Sequence, residues 1–265
     1  MPTLCYEIQG PLEDHPLSTT GAKNGRLSAI IKGDHDESPA QVYSELVANR
    51  LAAFLGIPVV AGVVGRNPSE PDTPMQFASL KAHEVGLDVY DFTADLDPME
   101  EDEDFEMPPG MFKHLQHPRA TKQLCEKYPV ETAYIAVFDL WICNLDRDFN
   151  FKADLKAPDR GVIFALDHGS SLLSCAPSIE RSLEKITDAN TPKSHPFQSL
   201  VTGRLCGQMV ERIMSLPEWA LESATTYDDT IGNVILPDQF ATYAALLERR
   251  KNLGALVDRV LIGPT

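Results

Sequence analysis

The sequence predicts an α+β chain in two lobes, β-rich on the N-terminal side and helical beyond, with a cleft between them. Three observations carry this. Short alternating apolar runs crowd the first third, an acid-rich segment then breaks the composition, and the remainder repeats apolar residues at helical spacing. The lobes are placed at 1–84 and 85–265, with the acidic insertion at about 91–106. A chain of 265 residues suits one large domain or two lobes, and can bury a core without disulfide or metal staples.

Taken in order, Thr3–Ile8 is expected as a strand, and Ser18–Gly25 as a turn, because it holds two Gly, one Asn and small hydroxyl residues. Arg26–Lys32 alternates as a strand should. The clearest helix follows. Ser38 is its expected N-cap, with Pro39 at the first helical position, where a missing N–H costs nothing. Tyr43, Val47, Leu51, Phe54 and Leu55 form an apolar stripe, and Gly56 followed by Pro58 ends it. Val59–Val64 and Met75–Lys81 read as strands. The segment from about Asp88 to Gly110 reads as a loop. His114–Lys127 and Val130–Cys143 read as helices, Asn150–Asp154 with Gly161–Leu166 as a hairpin, and Gln198–Ser215 and Pro237–Leu261 as helices.

Charge and cysteine usage narrow the function classes. There are 39 acidic against 23 basic residues, a formal charge of −16. Nine of the acids lie between Asp91 and Glu106, leaving −7 for the rest. An acidic surface disfavours sequence-independent nucleic-acid binding and docking on anionic lipid. That acidic block is expected as a solvated loop, with Ca²⁺ or a basic partner protein as alternatives. Five cysteines (Cys5, Cys125, Cys143, Cys175, Cys206) without C-x-x-C spacing suggest reduced thiols. No signal-peptide pattern and no long apolar run are seen, so a cytoplasmic location is expected. His114 and His117 could bind metal at i, i+3 but lack a third ligand, so a surface pair is expected.

Three segments require a joint explanation: Ala29-Ile30-Ile31-Lys32, Glu45 in the following helix, and Asn144-Leu145-Asp146-Arg147-Asp148-Phe149-Asn150 with the later Leu166-Asp167-His168-Gly169. A strand lysine fixed by a helix glutamate is how protein kinases hold nucleotide phosphates. An Asp in a loop after a helix can orient and deprotonate a hydroxyl acceptor. A nearby Asn and a later Asp at a Gly turn offer hard oxygen ligands for Mg²⁺. Singly these residues are ordinary: a strand-end lysine, a helix glutamate, turn aspartates. Their order along the chain is what argues for a site.

These motifs resemble the HipA-like kinase group, relatives of the bacterial toxin kinase HipA and more distantly of the phosphatidylinositol kinases. The resemblance spans most of the chain. Ser44–Val59 resembles the family's glutamate helix running into a Gly-x-Pro strand entry, and Phe77-Ala78-Ser79 its strand to the interlobe linker. Asn144-Leu145-Asp146-Arg147 resembles its catalytic loop and Leu166-Asp167-His168-Gly169 its second metal motif; Leu216-Pro217-Glu218-Trp219 and Leu246–Arg250 resemble its C-terminal region. The resemblance implies a two-lobed protein-kinase-like fold, with ATP and Mg²⁺ in the cleft. It implies Lys32 on the α/β-phosphates, Glu45 paired with Lys32, Asp146 as catalytic base, and Asn150 and Asp167 on Mg²⁺. It also implies a phosphate loop at Ser18, Thr19, Thr20 and Gly21. Two departures stand out. Asp146 and Asn150 are four apart where the family has five, and Asp148 stands where the family often has His.

The expected activity is transfer of the ATP γ-phosphate to a Ser or Thr hydroxyl of a protein substrate. A pseudokinase serving as a nucleotide-binding or interaction module, and a lipid or small-molecule kinase or AMP transferase, are the alternatives. An antitoxin or other regulatory protein is left open as a partner; nucleic acid and membrane are not expected.

Overall fold

The computed structural model describes residues 4–70, 72–83, 89–91, 105–148, 150–156 and 161–263. In chain order it runs β1 (Ile8–Asp14), β2 (Lys23–Leu27), β3 (Ala29–Lys32), α1 (Gln41–Leu55), β4 (Gly62–Gly65), β5 (Gln76–Leu80), β6 (Val89–Asp91), α2 (Pro118–Lys127), α3 (Pro129–Trp141), β7 (Phe151–Asp154), β8 (Ile163–Ala165), α4 (Ile179–Thr187), α5 (Gly203–Met214), α6 (Glu218–Thr225), α7 (Leu236–Lys251) and α8 (Leu253–Val257). A short 3₁₀ turn covers Leu172–Ser174, and a π turn, Asp258–Ile262, follows α8.

The strands form three antiparallel groups: the β1–β2 ribbon, a β3–β5–β4 sheet, and a β6–β7–β8 sheet. β5 is central in the second group, pairing Lys32 with Phe77 on one side and Val64 with Phe77 on the other. The third group is embedded in the helical lobe and carries the catalytic-loop candidate into β7. Its last strand also meets the chain entering β4: the Ala165 amide donates to the Pro58 carbonyl at 2.8 Å.

Two helices organise the core. α3 is buried nearly all round, from Ala133 through Trp141, as an apolar helix must be to be stable in water. α1 buries Val42–Ala48, Leu51, Ala52 and Leu55, and shares one continuous core with α3, α5, α6 and α7. At about 1.5–3 kcal/mol per buried Val, Leu or Phe, that core is the main force holding α1 against the helical lobe. Phe54, expected on the apolar stripe, is half exposed and meets Trp219 edge-on at 6.3 Å.

Several expected boundaries move. Thr3 lies outside the described residues, and the first named strand begins at Ile8, although Tyr6 already bridges to Ala82. Arg26–Lys32 is two strands: Ser28 still donates to Glu7 O in register with the ribbon, but its carbonyl accepts from Lys81 N, and from Ala29 the chain pairs with β5. Neither Ser38 nor Pro39 starts α1. Its N-cap position is Ala40, and the cap is made by Asp34, whose Oδ1 accepts from Val42 N at 2.8 Å. The expected loop at 88–110 contains β6, while 92–104, most of the acidic block, lies outside the described residues, as does the proposed lobe boundary at 84/85. α2 starts at Pro118, so His114 precedes the helix, and His117 is buried rather than part of a surface pair. The last long helix breaks at Asn252 and ends in the π turn. α4 and α6 were not anticipated. α4 does carry a signal: the Ser178 hydroxyl caps Arg181 N, and Ile179, Ser182, Leu183 and Ile186 line one face.

Candidate active site

Lys32 ends β3, and its side chain reaches two carboxylates from distant parts of the chain. Nζ lies 2.5 Å from Glu45 Oε1 on α1 and 2.8 Å from Asp167 Oδ2 beyond β8. Glu45 uses its other oxygen to accept from the His168 amide at 3.1 Å, locking α1 to the turn after β8. Glu45 is buried, whereas the Asp167 side chain is 41% exposed. Asp167 takes a left-handed conformation, φ 44°, and accepts from Gly169 N at 3.2 Å. A Cβ on Gly169 would stand 2.9 Å from the Gln41 Nε2 and 3.1 Å from Asp167 Oδ1, so a side chain there would push the Gln41 side chain aside.

The charges shift one another. Burial works to lower the Lys32 pKa, but Glu45 and Asp167 more than reverse it, and the ammonium is held above its ordinary value. Burial raises Glu45 despite Lys32. Asp167 is also raised by burial, yet Lys32 outweighs this and holds it below the usual carboxylate range.

The second half of the site is the loop from Asn144 to Asn150. Its anchor is Asp139, fully buried near the end of α3. Asp139 accepts from Arg147 Nε at 2.7 Å and Nη2 at 2.9 Å, from Asn144 Nδ2 at 2.8 Å, and lies 3.3 Å from His195 Nε2. Burial works to raise its pKa, and Arg147 with His195 drives it far below the usual range instead. Arg147 also donates to Leu166 O at 2.8 Å and to Asn150 O, which ties the loop to the residue before Asp167. Asp146 projects from this frame. Its amide bonds Asn144 Oδ1 at 3.1 Å, while its Oδ2 accepts from Asn150 Nδ2 at 3.3 Å and Ser170 Oγ at 3.5 Å. Asn150 Nδ2 also donates to Asp146 O at 2.6 Å. Asp148 is pushed up to about 6 by burial and the Asp146 charge, against the opposing influence of His117.

Of the residues read from the sequence, Lys32, Glu45 and Asp167 meet directly. Asp146 and Asn150 meet each other and are linked to Asp167 through Arg147 and Leu166. The turn Ser18–Gly21 does not join them: Ser18 Oγ is occupied locally, accepting from Thr20 N and from Ala22 N at 2.7 Å, on a ribbon exposed along both strands. Among the described residues no hydrogen bond or ion pair connects that turn to Lys32. Sequence reasoning missed Asp139 and His195. A single acid inside Val137-Phe138-Asp139-Leu140-Trp141 was the available signal, since a buried carboxylate requires a cation.

A two-lobed kinase-like fold in which a lysine, a glutamate and an aspartate from distant parts of the chain meet is the class these features define. The fold is shared with a solved structure, the crystal structure of a Helicobacter pylori proinflammatory kinase CtkA. That structure aligns with a TM-score of 0.55 over 95% of this chain and 94% of its own, at 16% identity. No family model and no curated protein sequence matches the chain. Among the described residues, no helix is long and apolar enough to cross a membrane.

Proposed function

We propose that the chain is an ATP-dependent kinase of HipA-like type that transfers the γ-phosphate to a Ser or Thr hydroxyl of a protein, with its nucleotide lobe ending near residue 84. The observation that carries this reading is the convergence of Lys32, Glu45 and Asp167, which are far apart in sequence. Lys32 would take the α/β-phosphates, exchanging Asp167 for a phosphate oxygen while Glu45 keeps the ammonium aimed. Ile30, two residues earlier on the same side of β3 and more than half exposed, offers an apolar surface to the base. Asp146 would orient the acceptor hydroxyl and receive its proton as the oxygen bonds to the γ-phosphorus. The bond from that phosphorus to the β–γ bridging oxygen breaks, and ADP leaves.

The donors fit Mg²⁺: an ionised, part-exposed carboxylate and an amide, hard oxygen ligands that leave room for phosphate oxygens. Asn150 and Asp167 would hold the ion, which supplies charge neutralisation on the phosphates. Asp139 and Arg147 keep the loop rigid so that Asp146 needs no reorganisation. The CtkA structure, described as a kinase, has the same fold and supports the reading at that level.

One observation favours a pseudokinase as the second reading. The Asn150 amide is turned onto Asp146, across a spacing one residue shorter than the family's. Labelled ATP with Mg²⁺ separates the two. The kinase reading expects label on the protein itself or on a lysate protein, and a loss of about 10²–10⁴-fold in Asp146→Ala. Thermal stabilisation by ATP without any transfer selects the pseudokinase. Label in a lipid or metabolite fraction moves the acceptor to another class.

A further inference from the structure

The loop that follows Lys32 also decides where α1 sits. Asp34, two residues after Lys32, divides its carboxylate between two parts of the molecule. Oδ1 accepts from Val42 N in the first turn of α1 at 2.8 Å. Oδ2 accepts from Asn233 N at 2.7 Å, in the connection between α6 and α7. Asn233 returns a second bond, Nδ2 donating to Pro39 O at 3.3 Å. The approach is so close that Gly232, at φ +58°, has no room for a side chain: a Cβ there would lie 2.1 Å from Asp34 Oδ2 and 3.2 Å from Val42 Cβ.

Other contacts around the start of α1 point the same way. Ala40 N donates to Ser174 Oγ at 3.2 Å, and the Tyr43 hydroxyl donates to Thr225 O at 2.7 Å. The helix has no side-chain cap at its own N-cap position, so Asp34 supplies an orphan donor with its partner. Val42 precedes Glu45 by three residues, one turn along the same side of the helix. Whatever fixes Val42 therefore fixes the carboxylate that aims Lys32.

The geometry points to Asp34 as a positioning residue for the Lys32–Glu45 pair: by gripping the first turn of α1 and the 232–233 turn together, it holds the glutamate helix against the helical lobe so that Lys32 meets Asp167 in the resting chain. This rests on the phosphate-binding reading proposed above and concerns the regulation of that site. In protein kinases the position of the glutamate helix is a control point. Here the strap and the shared core hold that helix in place.

The test uses the full chain and four variants: Asp34→Ala, Asp34→Asn, Gly232→Ala and the Asp34→Ala/Gly232→Ala double. Four quantities are read: kcat, KM for ATP, the rate at which acetic anhydride acylates Lys32 (by mass spectrometry), and the thermal midpoint. Each alanine variant is expected to lower kcat about tenfold to a hundredfold with KM for ATP nearly unchanged, since misplacement of a catalytic group acts on the reacting geometry. Lys32 should be acylated several-fold faster in both. The double variant should be no worse than the worse single, because both cut one strap. Asp34→Asn keeps one acceptor but turns an amide N–H toward a backbone N–H; it should fall between, and it carries the decision should Asp34→Ala fail to fold. Unchanged Lys32 acylation in a folded Asp34 variant, with only a lower thermal midpoint, overturns the inference and leaves Asp34 a helix cap. Should the parent chain transfer no phosphate, the kinase reading fails, while the acylation rates still decide the strap.

Discussion

Two ionic clusters lie side by side in this molecule and differ in how they are finished. Asp139 and Arg147 are almost wholly buried, and their polar atoms are committed to each other, to Asn144, His195 and two backbone carbonyls. Lys32, Glu45 and Asp167 are left half open, with Asp167 41% exposed and one ammonium divided between two acids. A sealed cluster has nothing left to offer a ligand and can only hold its loop in place. On the proposed kinase reading, a phosphate would take the position of Asp167 on Lys32 without breaking the buried half, and binding would fall at the exchangeable partner rather than at the strongest ion pair.

The largest expected difference is in stability. Asp139→Ala strands the buried Arg147 and should cost about 3–5 kcal/mol, read as a shift in denaturant midpoint. Lys32→Met should cost about 1 kcal/mol or less. Glu45 is already raised by burial and can take up a proton when its cation is removed. On the proposed kinase reading, phosphoryl transfer should nevertheless vanish in Lys32→Met. Equal destabilisation by the two variants would break the comparison, since the open cluster would then be structural too.

The pH dependence of stability sharpens it. Asp139 is lowered in the folded state, so its contribution is present above the unfolded value of about 3.9 and is lost as pH falls through the lowered one. The Asp139 carboxylate of the sealed cluster therefore gives way only in acid. Lys32 is raised, so its contribution is present below about 10.4 and is lost as pH rises through the raised value. Asp167, lowered like Asp139, adds an acid limb to the open cluster. Lys32→Met is therefore expected to flatten the alkaline limb of a stability–pH curve, and Asp139→Asn to leave that limb as it was. An alkaline limb that survives Lys32→Met would assign it to other groups.

Much of the open cluster was legible in the sequence because its chemistry sits on punctuated elements. Lys32 ends an alternating strand, Glu45 follows a Pro-marked loop, and Asp167 stands two residues before a glycine. What could not be read was closure through space. Asp139 looks like an interruption in an apolar helix until Arg147 folds back on it from eight residues away. Asp34 looks like loop composition until Asn233, from the far end of the chain, meets it. Ser38 fits the local cap rule, but the bond to Val42 N comes from Asp34, four residues before it, which Asn233 also holds. The glycine-bearing turn at 18–21 follows its turn chemistry, since Ser18 Oγ accepts from Thr20 N and Ala22 N locally.

Between the two clusters stands His168, and the smallest expected effect concerns it. Its ring is buried, edge-on to Phe138 with centroids 6.0 Å apart, and its Nε2 has no hydrogen-bond partner among the described residues. Burial, helped by the Arg147 charge, pushes its pKa down to about 3, so the ring is neutral. Its backbone amide makes the hydrogen bond to Glu45, while its ring Nδ1 lies 4.0 Å from the same carboxylate oxygen, beyond hydrogen-bond reach. His168→Phe keeps a planar ring against Phe138 and removes an unsatisfied buried nitrogen, for an expected gain of about 1 kcal/mol. The gain should grow on acidification. Between about 6.5 and 3 the unfolded chain binds a proton at this histidine that the folded chain does not, so stability is lost as pH falls, and phenylalanine removes that loss. A His168→Phe protein less stable than its parent at pH 5 would mean that the imidazole holds a partner, and that the open cluster is braced from behind as the sealed one is.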